Sequence, residues 1–144
     1  MAKVRAVDRR LFLLIEIAAR RLNREADRRL KAGAGVSAAQ ASVLFLLQRR
    51  GDRRMGALSK TLSLNPPAVT GLVDRMVKAG LVTKAADTRD RRGAMVTLTD
   101  SGRVAADKAD AILRALNTEL EARLGDEVSD VLHDALTQIA VDES

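Results

Sequence analysis

Three arginines, Arg89, Arg91 and Arg92, fall within four positions and are interleaved with Asp87 and Asp90. The runs on either side, Leu81-Val82-Thr83 and Met95-Val96-Thr97-Leu98, are rich in branched residues, which places the arginines at the tip of a two-stranded hairpin. A guanidinium there can enter a narrow minor groove, where the negative potential holds it. Just upstream, Asn65 is a good N-cap and Pro66 suits the first helical position. Val69, Leu72, Val73, Met76 and Val77 recur at helical spacing as one apolar face, and Gly80 supplies the stop. The opposite face carries Pro67, Ala68, Thr70, Gly71, Asp74, Arg75 and Lys78. It is small and polar at its start and basic further along, so it fits a DNA major groove and offers a hydroxyl and a guanidinium to base edges.

Other chemistries find no support in the residue inventory. No nucleophile–base pair, phosphate-cradling glycine loop or metal-spaced cluster appears, so an enzyme is not expected. There is no cysteine, which removes disulfides, thiolate metal sites and thiol redox switches. The one histidine, His133, falls on the polar side of the last helix and reads as a surface residue. No metal and no cofactor are expected.

The elements that must position these groups are mostly helical. Residues 4–31 read as a long helix, with Val4, Val7, Leu11, Leu14, Ile15, Ala18, Leu22 and Ala26 on one face and Leu13 and Ile17 on another. Two apolar sides suggest two partners: the chain's own domain and a second subunit. Its later half is basic and suits a solvated face, a phosphate-facing one, or a partner for the acidic tail. Gly33-Ala34-Gly35 is expected to break this helix, and Ser37 with Gln40 forms a capping box for the next, 38–49, read as buried through Ala41, Val43, Leu44, Phe45, Leu46 and Leu47. A short helix over 57–63, with Ala57, Leu58, Thr61 and Leu62 inward, and the helix over 66–79 make a helix-turn-helix. Thr99 caps a helix to about residue 123, and the last helix covers about 127–140 with Val128, Val131, Leu132, Ala135, Leu136 and Ile139 in one stripe. These terminal helices have no small domain of their own to cover them, so a two-fold dimer with interlocked ends is the simplest solution.

The 144 residues suit one domain plus dimerising arms, and aromatics are reduced to Phe12 and Phe45, so the core must be aliphatic. Residues 1–48 carry ten Lys/Arg against four Asp/Glu, residues 49–103 twelve against five, and residues 104–144 three against ten. A basic front and an acidic tail point one surface at a polyanion. With no membrane-length apolar run and no signal-peptide pattern, a cytoplasmic location is expected.

Asp87-Thr88-Arg89-Asp90-Arg91-Arg92, followed by Leu98-Thr99-Asp100-Ser101-Gly102, resembles the wing signature of the MarR family of bacterial transcriptional regulators. Val69-Thr70-Gly71-Leu72-Val73-Asp74-Arg75-Met76 through Gly80-Leu81-Val82 resembles that family's recognition helix. The expected fold is mainly α with a small two- or three-stranded β wing. Residues 35–99 form the winged helix-turn-helix, and residues 1–34 and 100–144 form dimerisation helices. The expected function is that of a sequence-specific transcriptional regulator, a repressor, that binds a pseudo-palindromic operator on double-stranded DNA as a homodimer. Thr70 and Arg75 would read bases, Pro67 and Ala68 touch thymine methyls, and Asn65 with the helix N-terminus would lie near a phosphate. Lys84 and Arg89 would meet phosphates, and Arg91 and Arg92 would enter the minor groove. Asp87 and Asp90 would position the arginines or form the turn, and Asp74 would pair with Lys78. The family often has an arginine at the position matching Gly71; here the glycine leaves close backbone approach in its place. The resemblance further implies release by a small-molecule effector bound between the arms and the winged helix, with a constitutive repressor as the other possibility. Two readings compete with the regulator: an architectural, weakly specific DNA binder, and a winged helix used to bind protein.

Overall fold

The computed structural model describes residues 10–86, 89 and 93–141. Helix α1 (Leu11–Ala34) is followed by α2 (Ala38–Arg50), a two-residue strand β1 (Arg53–Arg54), α3 (Met55–Leu62) and α4 (Pro66–Lys78). Strands β2 (Val82–Ala86) and β3 (Ala94–Leu98) form the hairpin, and α5 (Asp100–Leu124) and α6 (Asp126–Ala140) close the chain. The sheet is antiparallel in the order β1-β3-β2, with Val82 opposite Leu98 and Ala86 opposite Ala94. The fold is mainly helical with a small three-stranded wing. Among the described residues no single helix is long and apolar enough to cross a membrane.

Local rules explain most element ends. Ser37 and Gln40 close the capping box on α2, and the Asp27 carboxylate accepts the Ala38 N–H at 2.6 Å, tying that helix start to α1. The end of α4 is a Schellman turn: the Gly80 N–H reaches Val77 O, the Leu81 N–H reaches Met76 O, and Gly80 takes φ 75°. Thr99 ties three elements together. Its hydroxyl donates to Gly80 O at 2.6 Å and accepts the Gly102 N–H at 3.0 Å, while its own N–H donates to Leu81 O. The end of α4 and the start of α5 are thereby fastened to the foot of β2.

The core lies between α1, α2, α4, the sheet and the first half of α5. Leu30, Val36, Val43, Leu44, Leu58, Val69, Val73, Met76, Val82 and Val96 are fully buried in it. The inner ends of both terminal helices join it, through Ala26 and Leu30 of α1 and Ala105, Ala106 and Ala109 of α5. Outside it, α6 buries no residue, and Leu11, Phe12, Leu14 and Ile15 of α1 are exposed. Leu13 and Ile17, the shorter stripe, are half-buried, as is Leu22 of the longer one.

Several expectations need correction. The break after α1 falls at Gly35, with φ 69°, and Gly33 stays helical. A Cβ at Gly33 would come within 2.7 Å of Ile112 Cδ1, the movable end of a side chain, so this glycine marks where α5 passes α1 rather than a turn. Phe45 faces outward, with the Arg49 guanidinium 5.1 Å from its ring centre, because Val43, Leu44 and Leu47 already fill the inner side of α2. On α3, which begins at Met55, Ala57 and Thr61 are exposed and Leu58 is the anchor. Val77 is also exposed, since four residues of α4 suffice to cover its side of the core. Val4 and Val7 lie outside the described residues.

Candidate nucleic-acid interface

Helix α4 presents its start to solvent as a consequence of how it is capped and anchored. The Asn65 side chain accepts the Ala68 N–H at 2.9 Å, Pro66 occupies the first turn, and Val69, Leu72, Val73 and Met76 pin the helix to the core. Ser63, in the left-handed region at φ 52°, turns the chain between α3 and α4. What remains outward is Asn65, Pro67, Ala68, Thr70, Asp74, Arg75 and Lys78, all exposed, with Gly71 half-buried among them. The structure therefore brings the expected reading residues together on one face.

Their hydrogen bonds narrow what each can do. The Thr70 hydroxyl donates to Pro66 O at 3.0 Å, so its proton is engaged and its lone pairs point outward as an acceptor. Arg75 folds back along the helix: its Nη1 lies 3.4 Å from where a Cβ on Gly71 would sit. The guanidinium lies beside the open spot that the glycine leaves. Asp74 does not pair with Lys78. Its carboxylate accepts from the Lys84 ammonium at 3.1 Å, across the gap from α4 to β2. Val82 and Lys84 share one face of β2, and the burial of Val82 beneath α4 delivers Lys84 to the helix. The helix-only i, i+4 rule cannot foresee a partner supplied by a strand. Lys84, expected at a phosphate, thus has a carboxylate partner within its own chain.

The hairpin rises beside this face. Arg89 is exposed at its far end, while Asp87, Asp90, Arg91 and Arg92 lie outside the described residues. Sequence reasoning missed β1. Arg53 and Arg54 pair with Val96 and Met95 of β3, and the Arg54 side chain passes 3.9 Å from a Cβ position on Gly93 at the loop's foot. Two adjacent arginines ahead of a short helix were the available signal, and only the third strand gives them a place at the wing.

Away from this face, a cleft of about 480 Å³ opens between α1 and α5, lined by Arg21, Leu22, Glu25, Arg29, Leu116, Glu119, Leu120 and Arg123. Arg29 crosses it, donating to Glu25 at 2.8 Å and to Glu119 at 2.6 Å. Hydrogen bonds from Arg28 and Arg29 hold the Glu25 carboxyl below the ordinary glutamate range, and the bond from Arg29 does the same for Glu119.

Comparison with known proteins matches this geometry. A family model described as MarR family covers residues 34–93. The HTH-type transcriptional repressor MdtR of Bacillus subtilis is 34% identical over 68 residues, 47% of this chain and 44% of that protein. The transcriptional activatory protein BadR of Rhodopseudomonas palustris is 35% identical over 97 residues, 65% of this chain and 55% of that one. The chain spans about half the length of the curated relatives it matches. Among solved structures, a mutant of MarR from E. coli complexed with operator DNA superposes with a TM-score of 0.81 at 26% identity, covering 90% of this chain and 92% of that one. A MarR-family transcriptional regulator from Rhodococcus sp. RHA1 gives 0.83 at 25% identity, covering 94% and 96%.

Proposed function

We propose, from its likeness to MarR-family regulators over the winged helix, that this chain belongs with them and is a sequence-specific DNA-binding transcriptional regulator rather than an enzyme. The observation that carries the reading is the outward face of α4, a capped helix start whose small and polar residues stand clear while its apolar side is locked into the core. Helix α4 enters the major groove. Thr70 accepts from a base amino group, Arg75 donates to a base edge, and Pro67 and Ala68 lie against thymine methyls. Asn65 and the helix N-terminus approach a phosphate, with Lys78 following the backbone. The wing contributes Arg89 to a phosphate and Arg91 and Arg92 to the minor groove, with Asp87 and Asp90 positioning them.

The working unit is a homodimer built from residues 1–34 and 100–144, with residues 35–99 as the DNA-binding unit. The exposed apolar rows of α1 and α6 support that arrangement. Two copies of α4 then read half-sites about 10 base pairs apart on a pseudo-palindromic operator. The chain acts as a repressor where that operator overlaps a promoter. A second cleft of about 460 Å³, where Ala26 of α1 and Leu113 of α5 meet Ala38 and Ser42 of α2, lies between the arms and the winged helix and offers a seat for a small-molecule effector whose binding changes the spacing of the two reading helices, a population shift. The test is a footprint on the DNA upstream of the chain's own gene, with the mass in solution measured alongside. A symmetric protected site bound by a dimer supports the reading. Uniform coating favours an architectural binder, and absence of binding at low salt favours a protein-interaction module.

A further inference from the structure

We propose that Asp74 and Lys84 form a neutralising clamp between the recognition helix and the wing, in which Lys84 serves Asp74 rather than a phosphate. The inference rests on the DNA-binding reading above. Asp74 stands on the outward face of α4, one turn beyond Thr70 and next to Arg75, so it would present a negative charge to a polyanion. The Lys84 ammonium, 3.1 Å away, cancels that charge at its source. The strand geometry makes the pairing specific. Lys84 sits opposite Val96, which is fully buried, and two residues beyond the buried Val82, so its stem lies on the core-facing side of the hairpin. From there it closes the same cleft that Pro66, Val69 and Thr70 line. One hydrogen bond therefore does two things: it removes a repulsive charge from the reading face, and it holds the foot of the hairpin against that face. Asp74 and Lys84 are positioning residues, since they fix where the wing stands relative to the helix.

The test is a double-mutant cycle on the full chain: equilibrium binding to the footprinted operator and to a random duplex, across a salt series, for wild type, K84A, D74N, K84A/D74N and K84R. The clamp requires K84A alone to lose about tenfold or more in affinity, because it leaves Asp74 unpaired, and the double variant to recover most of that loss. The salt slope of the double variant then matches wild type. Equal losses in K84A and K84A/D74N, with both slopes flattened by about 0.9, would make Lys84 an ordinary phosphate contact and overturn the proposal. A second readout needs no DNA: hydrogen exchange at the Thr83 and Ala85 amides, which face β3, rises in K84A and D74N and stays low in K84R if the pair holds the hairpin. Unchanged exchange in all variants overturns the clamp. Wild type that binds operator and random DNA alike removes the regulator reading instead, and the exchange experiment still decides the pair.

Discussion

Gly71 shows how a missing side chain can act at the residue scale. Its absent Cβ leaves an open spot beside which Arg75 folds, so the polar group presented outward at that turn comes from four residues further along. A methyl at 71 would only touch the guanidinium, at ordinary contact distance. Gly71→Ala should therefore keep the binding preference and raise the melting temperature, since glycine inside a helix costs about 0.5–1 kcal/mol. Gly71→Leu fills that spot and should erase the preference at one base step per half-site; sequence selection from a random pool checks both. Gly102 is the opposite case. A Cβ there would fall 2.0 Å from Leu81 O, so Gly102→Ala must push α5 off the foot of the wing and should cost about 2–4 kcal/mol, read by urea unfolding. The caps on Ser37, Asn65 and Thr99 were legible in the sequence because each is satisfied within three residues of itself. The partner of Asp74 and the exposure of Phe45 were not: the first is supplied by a strand, and the second follows from which of several apolar residues on α2 the core has room for.

At the scale of elements, the helix-turn-helix and the hairpin were legible from period and punctuation, and β1 was not: two residues carry no period, and only pairing with β3 defines them. A further cross-element link, Arg29 between Glu25 and Glu119, joins α1 to α5. Both carboxyls are held below the ordinary glutamate value of 4.5 by their guanidinium partners. A depressed carboxyl stabilises the fold at pH values above its unfolded pKa, and that contribution disappears as pH falls through the folded value. Acid should therefore loosen α1 from α5 below about pH 4.5. Glu119→Gln should lose the contribution already at neutral pH and show a flatter acid limb; unfolding midpoints from pH 7 to 3 measure this. Glu119 is exposed and Glu25 and Arg29 are only half-buried, so the effect should be modest and should shrink in salt.

At the scale of the whole molecule, the chain divides into a well-filled winged helix and two arms that carry apolar rows outward. Val131 and Ile139 are each 69% exposed, and a helix of 15 residues with nothing buried is marginal by itself. Val131→Asp with Leu136→Asp should leave the winged helix folded, lower the sedimenting mass to that of one chain, and weaken operator binding by removing the second α4. Retention of the wild-type mass would place the interface elsewhere.

The bare α6 also bears on dosage. Where the arms meet only by finding another copy, occupancy of a symmetric site in the dilute range grows with the square of the amount of chain rather than in proportion to it. Halving synthesis then clears far more than half the sites, so the response to supply is steep even without any effector.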